Sequence, residues 1–232
     1  PLAARVPFGI LLALVLVLTR YADFQLARTE AAQPLPFAFG GEADAVDYAR
    51  AMADGALLAL IATLGLLQLG HETTPELVQL FASALALWSL AAAPFRRYRA
   101  RLAAFIALPL LAASGAPTIA VLFGIAATAI AARSAYEQGR AYAPWAAVAT
   151  IVAATLAWWL NTWAWRVGFE ATGAQVLQLG RLFLWFLWPA WLLALWTVWR
   201  WRRHLTKRHI SAPLALALVS LVACVAGGGF DR

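Results

Sequence analysis

The sequence predicts an all-α, polytopic transmembrane helix bundle with about eight membrane helices. Of its 232 residues, 63% are hydrophobic and only 12% are charged, which is about half the charged fraction of a typical soluble domain. The mean hydropathy is +0.74. The apolar residues are grouped in long runs, separated by connectors in which arginine is frequent. This pattern is typical of a chain that crosses a membrane several times.

The apolar runs supply the predicted membrane helices. A straight crossing takes about 20 residues, so the first, fourth and fifth runs need polar flanks or burial inside the bundle. In chain order the runs are residues 6–20, 51–69, 77–94, 102–113, 117–132, 143–163, 182–199 and 212–228. As a single helix, residues 102–132 would be about 46 Å long, against a hydrocarbon core of about 30 Å. Because Ser114–Pro117 contains both glycine and proline, two short helices in a hairpin are predicted there.

The distribution of basic residues predicts the sidedness of the bundle. With eight crossings, fourteen of the eighteen Lys and Arg residues fall on one side, and the positive-inside rule makes this side cytoplasmic. The other side holds Arg5, Arg166, Arg181 and Arg232. A single crossing at 102–132 would remove this bias from the later loops, so the charges also favour the hairpin.

Two connectors are long. Residues 21–50 include two prolines and two adjacent glycines, so they are predicted to form an irregular cytoplasmic loop. Residues 165–181 are predicted to form an outer loop. The chain begins at Pro1 without a methionine, and we interpret residues 1–232 as a single transmembrane domain taken from a longer protein.

Composition also excludes some classes of function. The basic residues are clustered between apolar runs, which suits membrane orientation and not the binding of nucleic acid. Cys224 is the single cysteine, so a disulfide framework and a cysteine-based metal site are both excluded.

The stretch "LQLGHETTPELVQLF", residues 67–81, places polar side chains between two apolar runs on the predicted outer side. Helix capping explains part of it, because Thr73 or Thr74 can cap the next helix while a proline and an acidic residue occupy its first turn. Capping does not explain His71 beside Glu72. With Glu76, these side chains are suited to binding a divalent metal ion or transferring a proton, and we predict His71 and Glu72 as metal ligands.

Five stretches together resemble the bacterial GT-C membrane glycosyltransferases of the lipid A aminoarabinose transferase and protein O-mannosyltransferase family. They are "AARVP" (3–7), "GHETTPELVQLF" (70–81), "LAASGAPTIAVL" (111–122), "AWWLNTW" (157–163) and "GGGFDR" (227–232). The resemblance implies transfer of a sugar from a polyprenyl-phosphate donor to a lipid or protein acceptor. It also implies that the reaction takes place at the outer, periplasmic face of the bacterial inner membrane.

The resemblance implies roles for particular residues. His71 and Glu76 fall on the family's outer corner and are the predicted catalytic residues. Arg5 and Arg232 fall on two further motifs and are predicted to bind the donor phosphate. Arginine suits phosphate because its fork binds two oxygens at once. The same chemistry makes Arg166 and Arg181, at the two ends of the outer loop, candidate substrate-binding residues.

The resemblance also implies that the family's main catalytic loop would precede Pro1. Two alternatives remain open. A transporter or flippase subunit would contain broken helices with charges inside the spans, whereas these spans contain almost no ionisable residues. A non-catalytic membrane scaffold would need none of the outer polar residues.

Overall fold

The computed structural model describes residues 2–34, 41, 43–63, 74–165 and 173–226. Within these ranges the chain is all-helical and contains no strand, as the sequence predicts. The α-helices are α1 (Leu2–Ala27), α2 (Ala45–Ile61), α3 (Pro75–Ala92), α4 (Arg97–Ala113), α5 (Pro117–Ala132), α6 (Glu137–Arg140), α7 (Ala143–Trp159), α8 (Gly173–Phe186), α9 (Ala190–Arg200) and α10 (Arg208–Ala226). Short 3-10 helices cover Glu30–Ala32, Thr162–Trp165 and Arg202–His204.

Three of the described helical segments are long and apolar enough to cross a membrane. They are Val6–Ala27, Pro75–Ala92 and Glu137–Trp159. Two further apolar helices, Pro117–Ala132 and Arg208–Ala223, are shorter. These segments indicate a membrane protein, and the number of eight crossings stays a prediction.

The core is built largely from alanine. Helix α3 packs against α1 and α4, α7 packs against α4 and α5, and α10 packs against α5 and α3. The fully buried residues include Ala107, Ala146 and Ala153 together with the larger Leu90 and Leu111. Small side chains let helix backbones approach closely, which is the usual way for helices to associate in a membrane.

The predicted hairpin at 102–132 is present. Helix α4 ends at Ala113 and α5 begins with Pro117 in its first turn. Between them Gly115 has a φ of +96°, a left-handed conformation that glycine adopts without steric cost. The turn therefore depends on the glycine and proline that predict it.

Helix α1 is longer than the apolar run that predicts it. It continues to Ala27, seven residues into the predicted loop 21–50, and α2 begins at Ala45 inside the same loop. Arg20 does not end the helix because its Nε donates a hydrogen bond to Asp54 Oδ1 of α2 at 2.6 Å. The irregular connector is correspondingly shorter, and Asp44 caps α2 by accepting a hydrogen bond from the Val46 backbone N–H.

The run 182–199 and the loop 165–181 also differ from the prediction. Helix α8 starts at Gly173, within the predicted outer loop, and ends at Phe186, while α9 starts at Ala190. Pro189 lies between them, and proline interrupts a helix because it lacks a backbone N–H and clashes with the preceding turn. The expected single helix is therefore two helices.

The connectors gather at two ends of the bundle. At one end, which we call the arginine-rich end, lie residues 28–34, 93–101, 133–142 and Arg208. The rings of Phe95 and Tyr136 are 5.9 Å apart there, and the Glu30 N–H donates to the Tyr136 hydroxyl. The start of α3 and the turn at 114–116 lie together at the opposite end. The described connectors that hold Arg28, Arg96, Arg133 and Arg208 thus share one end, which agrees with the charge pattern for these residues.

Candidate functional site

The predicted site residues are only partly within the described chain. His71, Glu72, Arg166 and Arg232 lie outside the described residues. Arg5 belongs to the first turns of α1, but its side chain is not among those described. Arg181 is exposed on α8, and α8 does not pack extensively against α3. Of the two predicted catalytic residues, Glu76 is the one that lies within the described part of the chain.

Glu76 lies in the first turn of α3 and its side chain is exposed. Thr74 occupies the cap position in an extended conformation, and Pro75 takes the first helical position. The predicted cap is confirmed in position, but the Thr74 hydroxyl makes no capping hydrogen bond and is buried without a partner. The local sequence thus forms the helix start and leaves the Glu76 carboxylate free of any described partner.

The corner at the start of α3 meets the turn between α4 and α5. Gln79, one turn after Glu76, donates from Nε2 to the Ser114 carbonyl oxygen at 2.8 Å. Residues three apart lie on neighbouring parts of one helix face. The first turns of α3 and the turn between α4 and α5 are therefore adjacent, although 35 residues separate Gln79 from Ser114 in the chain.

A metal site is not visible in the described part of the chain, which contains no group of three His, Cys, Asp or Glu side chains placed to hold an ion. The predicted ligands His71 and Glu72 lie outside it. The metal therefore stays a prediction.

A second polar cluster lies at the arginine-rich end, where the sequence did not predict a site. Ser89 of α3 is fully buried, and its hydroxyl donates to the Ala100 carbonyl oxygen at 2.7 Å. The Tyr142 hydroxyl is 2.7 Å from the same Ser89 oxygen. A serine has one hydroxyl proton, so Tyr142 is the donor in this second bond. We call these two residues the Ser89–Tyr142 pair.

Two arginines flank the Ser89–Tyr142 pair. Arg208 donates from Nη2 to the carbonyl oxygen of Leu90, which follows Ser89. Arg101 donates from Nη2 to the carbonyl oxygen of Ala141, which precedes Tyr142, at 3.4 Å. The Nε atoms of both arginines and Nη1 of Arg208 are buried without a hydrogen-bond partner.

Sequence reasoning missed this cluster because it treated its basic members as charges that set orientation. Leu90 and Arg208 are separated by 118 residues, and no local motif connects positions so far apart. A small cavity beside Tyr142 is lined by apolar side chains, including Leu90, Phe123 and Leu216. Its lining is suited to core packing and not to binding a sugar.

Comparison with known proteins identifies no relative, because no protein-family model, no curated protein and no solved structure matches the chain.

Proposed function

We propose that this chain is part of a membrane glycosyltransferase that moves a sugar from a polyprenyl-phosphate donor to a lipid or protein acceptor at the outer face of the bacterial inner membrane. The observation that carries the proposal is the position of Glu76. Its carboxylate is exposed in the first turn of α3, beside the turn at Ser114 and at the end of the bundle away from the arginine-rich connectors.

The proposed reaction needs a base and cations at the membrane boundary. Glu76 accepts the proton of the acceptor's hydroxyl group, and the oxygen of that hydroxyl group forms a bond to the anomeric carbon of the sugar. The bond from that carbon to the phosphate oxygen breaks, with inversion at the carbon, and polyprenyl phosphate leaves with the electron pair. The phosphate is already a fair leaving group, so orientation and charge neutralisation supply most of the acceleration.

Arginines on the same side as Glu76 are the proposed phosphate ligands. Arg5 stands in the first two turns of α1, and the other end of that helix lies at the arginine-rich end. Its start is therefore at the same end of the bundle as Glu76. Arg166, Arg181 and Arg232 are further candidates from the charge pattern. A guanidinium group binds two phosphate oxygens with parallel hydrogen bonds.

Substitution of Glu76 by glutamine in the full-length protein tests the proposal. Because the amide cannot accept the proton, we expect transfer of a radiolabelled sugar from its polyprenyl phosphate to fall by a factor of about 10² or more. Glu137→Gln is the matched control, because Glu137 is also an exposed glutamate in the first turn of a helix, but at the arginine-rich end. Unchanged transfer by Glu76→Gln, with normal expression, would remove Glu76 from the site.

One observation favours a transporter or flippase subunit as a second candidate. The hydrogen-bonded ion pair of Arg20 and Asp54 joins α1 to α2, and Arg20 lies within the candidate span Val6–Ala27. Ionisable groups within membrane spans are frequent in transport proteins. Substrate accumulation in sealed proteoliposomes, without a covalent product, would favour this function over sugar transfer.

A further inference from the structure

The cations at the arginine-rich end have few anionic partners. Among the described residues, the two salt bridges join Arg50 to Asp47 and Arg20 to Asp54. Arg28 instead lies over the ring of Phe95, 4.5 Å from its centroid. Arg101 lies over the ring of Trp145 at 4.8 Å. This end of the bundle therefore carries positive charge that the described carboxylates do not neutralise.

Arg208 has two buried nitrogen atoms without a hydrogen-bond partner. It is half-buried at the start of α10, and its Nη2 donates to the Leu90 carbonyl oxygen near the end of α3. Its Nη1 lies against α6, where a Cβ added to Gly139 would be 3.6 Å away. A single carbonyl does not balance a full positive charge, and buried donors without partners are costly. An acceptor that carries negative charge would therefore stabilise Nε and Nη1 of Arg208.

Arg101 is a second cation with an unpartnered nitrogen at the arginine-rich end. It is also half-buried, with Nη2 bonded to the Ala141 carbonyl and Nε buried without a partner. The two arginines bond to carbonyls next to the two members of the Ser89–Tyr142 pair, whose oxygens are 2.7 Å apart. The hydrogen bond between Ser89 and Tyr142 thus links the two backbone segments to which the two guanidinium groups are bonded, and we call this region the junction.

We propose that Arg208 and Arg101 bind a phosphate group at this junction, and that the phosphate belongs to the headgroup of an anionic phospholipid. Guanidinium groups match the geometry of phosphate oxygens, and basic residues at the end of a membrane helix attract anionic lipids. The exposed ring of Trp145 beside Arg101 provides the amphipathic contact that is common at the lipid headgroup level. The site lies at the opposite end from Glu76, so it does not depend on the proposed transfer reaction.

The test measures lipid binding by the purified, delipidated full-length protein. Phosphatidylglycerol, phosphatidylcholine and inorganic phosphate are added separately, and bound lipid is counted by native mass spectrometry alongside the thermal unfolding midpoint. We expect phosphatidylglycerol to bind and to raise the midpoint, and phosphatidylcholine to do neither. Loss of a charged hydrogen-bond donor should weaken phosphatidylglycerol binding by about tenfold or more in Arg208→Gln.

Arg202→Gln is the matched control. It removes the same charge from the exposed 3-10 helix at 202–204, where Arg202 lies over Trp199, and it should bind lipid as the wild type does. Arg208→Lys keeps the positive charge but lacks the forked guanidinium group, so its binding of phosphatidylglycerol should lie between that of the wild type and that of Arg208→Gln. If Arg208→Gln does not fold, Arg101→Gln replaces it, with the same expected loss.

The outcomes separate the possible ligands. Equal binding of the two lipids by the wild type would overturn the proposal, as would unchanged phosphatidylglycerol binding in Arg208→Gln or Arg101→Gln. Inorganic phosphate could raise the unfolding midpoint of the wild type as much as phosphatidylglycerol does, and lose this effect in Arg208→Gln. This result would support a phosphate site at Arg208 but overturn its assignment to a lipid.

Discussion

Ser89 and Tyr142 illustrate, at the scale of single residues, how a mostly apolar chain satisfies the polar groups that it buries. Each side chain is almost completely buried, and the hydrogen bonds run in one direction, from Tyr142 to Ser89 and from Ser89 to the Ala100 carbonyl. A buried hydroxyl without a partner would cost free energy. The pair therefore fixes the relative positions of α3, α4 and α7.

The direction of these bonds predicts unequal effects of two substitutions. Ser89→Ala leaves the buried Tyr142 hydroxyl without its acceptor, so the free energy of unfolding should fall by about 1–3 kcal/mol. Tyr142→Phe removes the hydroxyl and leaves Ser89 bonded to Ala100, so the fall should be about 1 kcal/mol. Reversible unfolding in mixed detergent micelles measures both.

The double variant Ser89→Ala with Tyr142→Phe is the control for this prediction. It removes both hydroxyls and leaves no unpaired donor, so it should be no less stable than Ser89→Ala. If Tyr142→Phe lowered the free energy of unfolding more than Ser89→Ala did, Tyr142 would not be the donor to Ser89 as described.

The residue scale is also where the sequence is least informative about the candidate sites. The start of α3 at Pro75 could be predicted, because the capping signals are local. The junction of Arg101 and Arg208 could not, because its members come from helices distant in sequence and its chemistry depends on which carbonyls they meet.

At the scale of secondary-structure elements, the contact between α5 and α7 depends on one glycine. A Cβ added to Gly124 would overlap the side chain of Thr150. The hydroxyl of Thr150 is bonded to the Ala146 carbonyl at 2.7 Å, which holds this side chain in place. The absence of a side chain at Gly124 therefore sets how closely the two helices approach.

Gly124→Ala should destabilise the protein even though alanine favours helices. Overpacking at this contact should lower the free energy of unfolding by about 1–3 kcal/mol, and helix propensity should recover about 1 kcal/mol at most. Gly55→Ala is the matched control, since an added Cβ meets no described atom within 4 Å beyond its chain neighbours and its own helix backbone, and it should be neutral or stabilising. Equal effects of the two substitutions in a detergent unfolding assay would contradict the tight contact.

The elements were predicted well where local chemistry decides them. The hairpin around Ser114–Pro117 follows from its glycine and proline. The end of α1 was placed too early, because Arg20 looked like a boundary and its partner Asp54 is not visible without the fold. The break at Pro189 was missed because the run 182–199 is apolar throughout, and hydropathy does not register the missing backbone N–H.

At the scale of the whole molecule, the two ends of the bundle differ in charge. One end, the arginine-rich end, contains the connectors 93–96 and 133–136 and the start of α10. At the other end, the start of α3 contacts the turn at 114–116. This arrangement agrees with the grouping of arginine clusters that the sequence predicts. Which end faces the cytoplasm stays a prediction from the positive-inside rule.

Accessibility of introduced cysteines tests that prediction. In a Cys224→Ala background, a membrane-impermeant maleimide should label Glu76→Cys in intact cells, but should label Glu137→Cys only after the membrane is permeabilised. Both positions are exposed in the first turn of a helix, so they differ mainly in the end of the bundle at which they lie. The reverse labelling pattern would show that the orientation is opposite to the predicted one. It would then contradict a reaction by Glu76 at the outer face.

The hydrogen-bonded pair between Arg20 and Asp54 has a consequence for biogenesis. If α1 and α2 both cross the membrane, as their apolar runs predict, each charge would be unfavourable against acyl chains on its own, and the pair reduces that penalty only when both helices are present. During synthesis, α1 emerges from the ribosome before its acidic partner. We therefore expect the insertion machinery to retain α1 until α2 arrives, and to release the two helices laterally into the lipid as one unit.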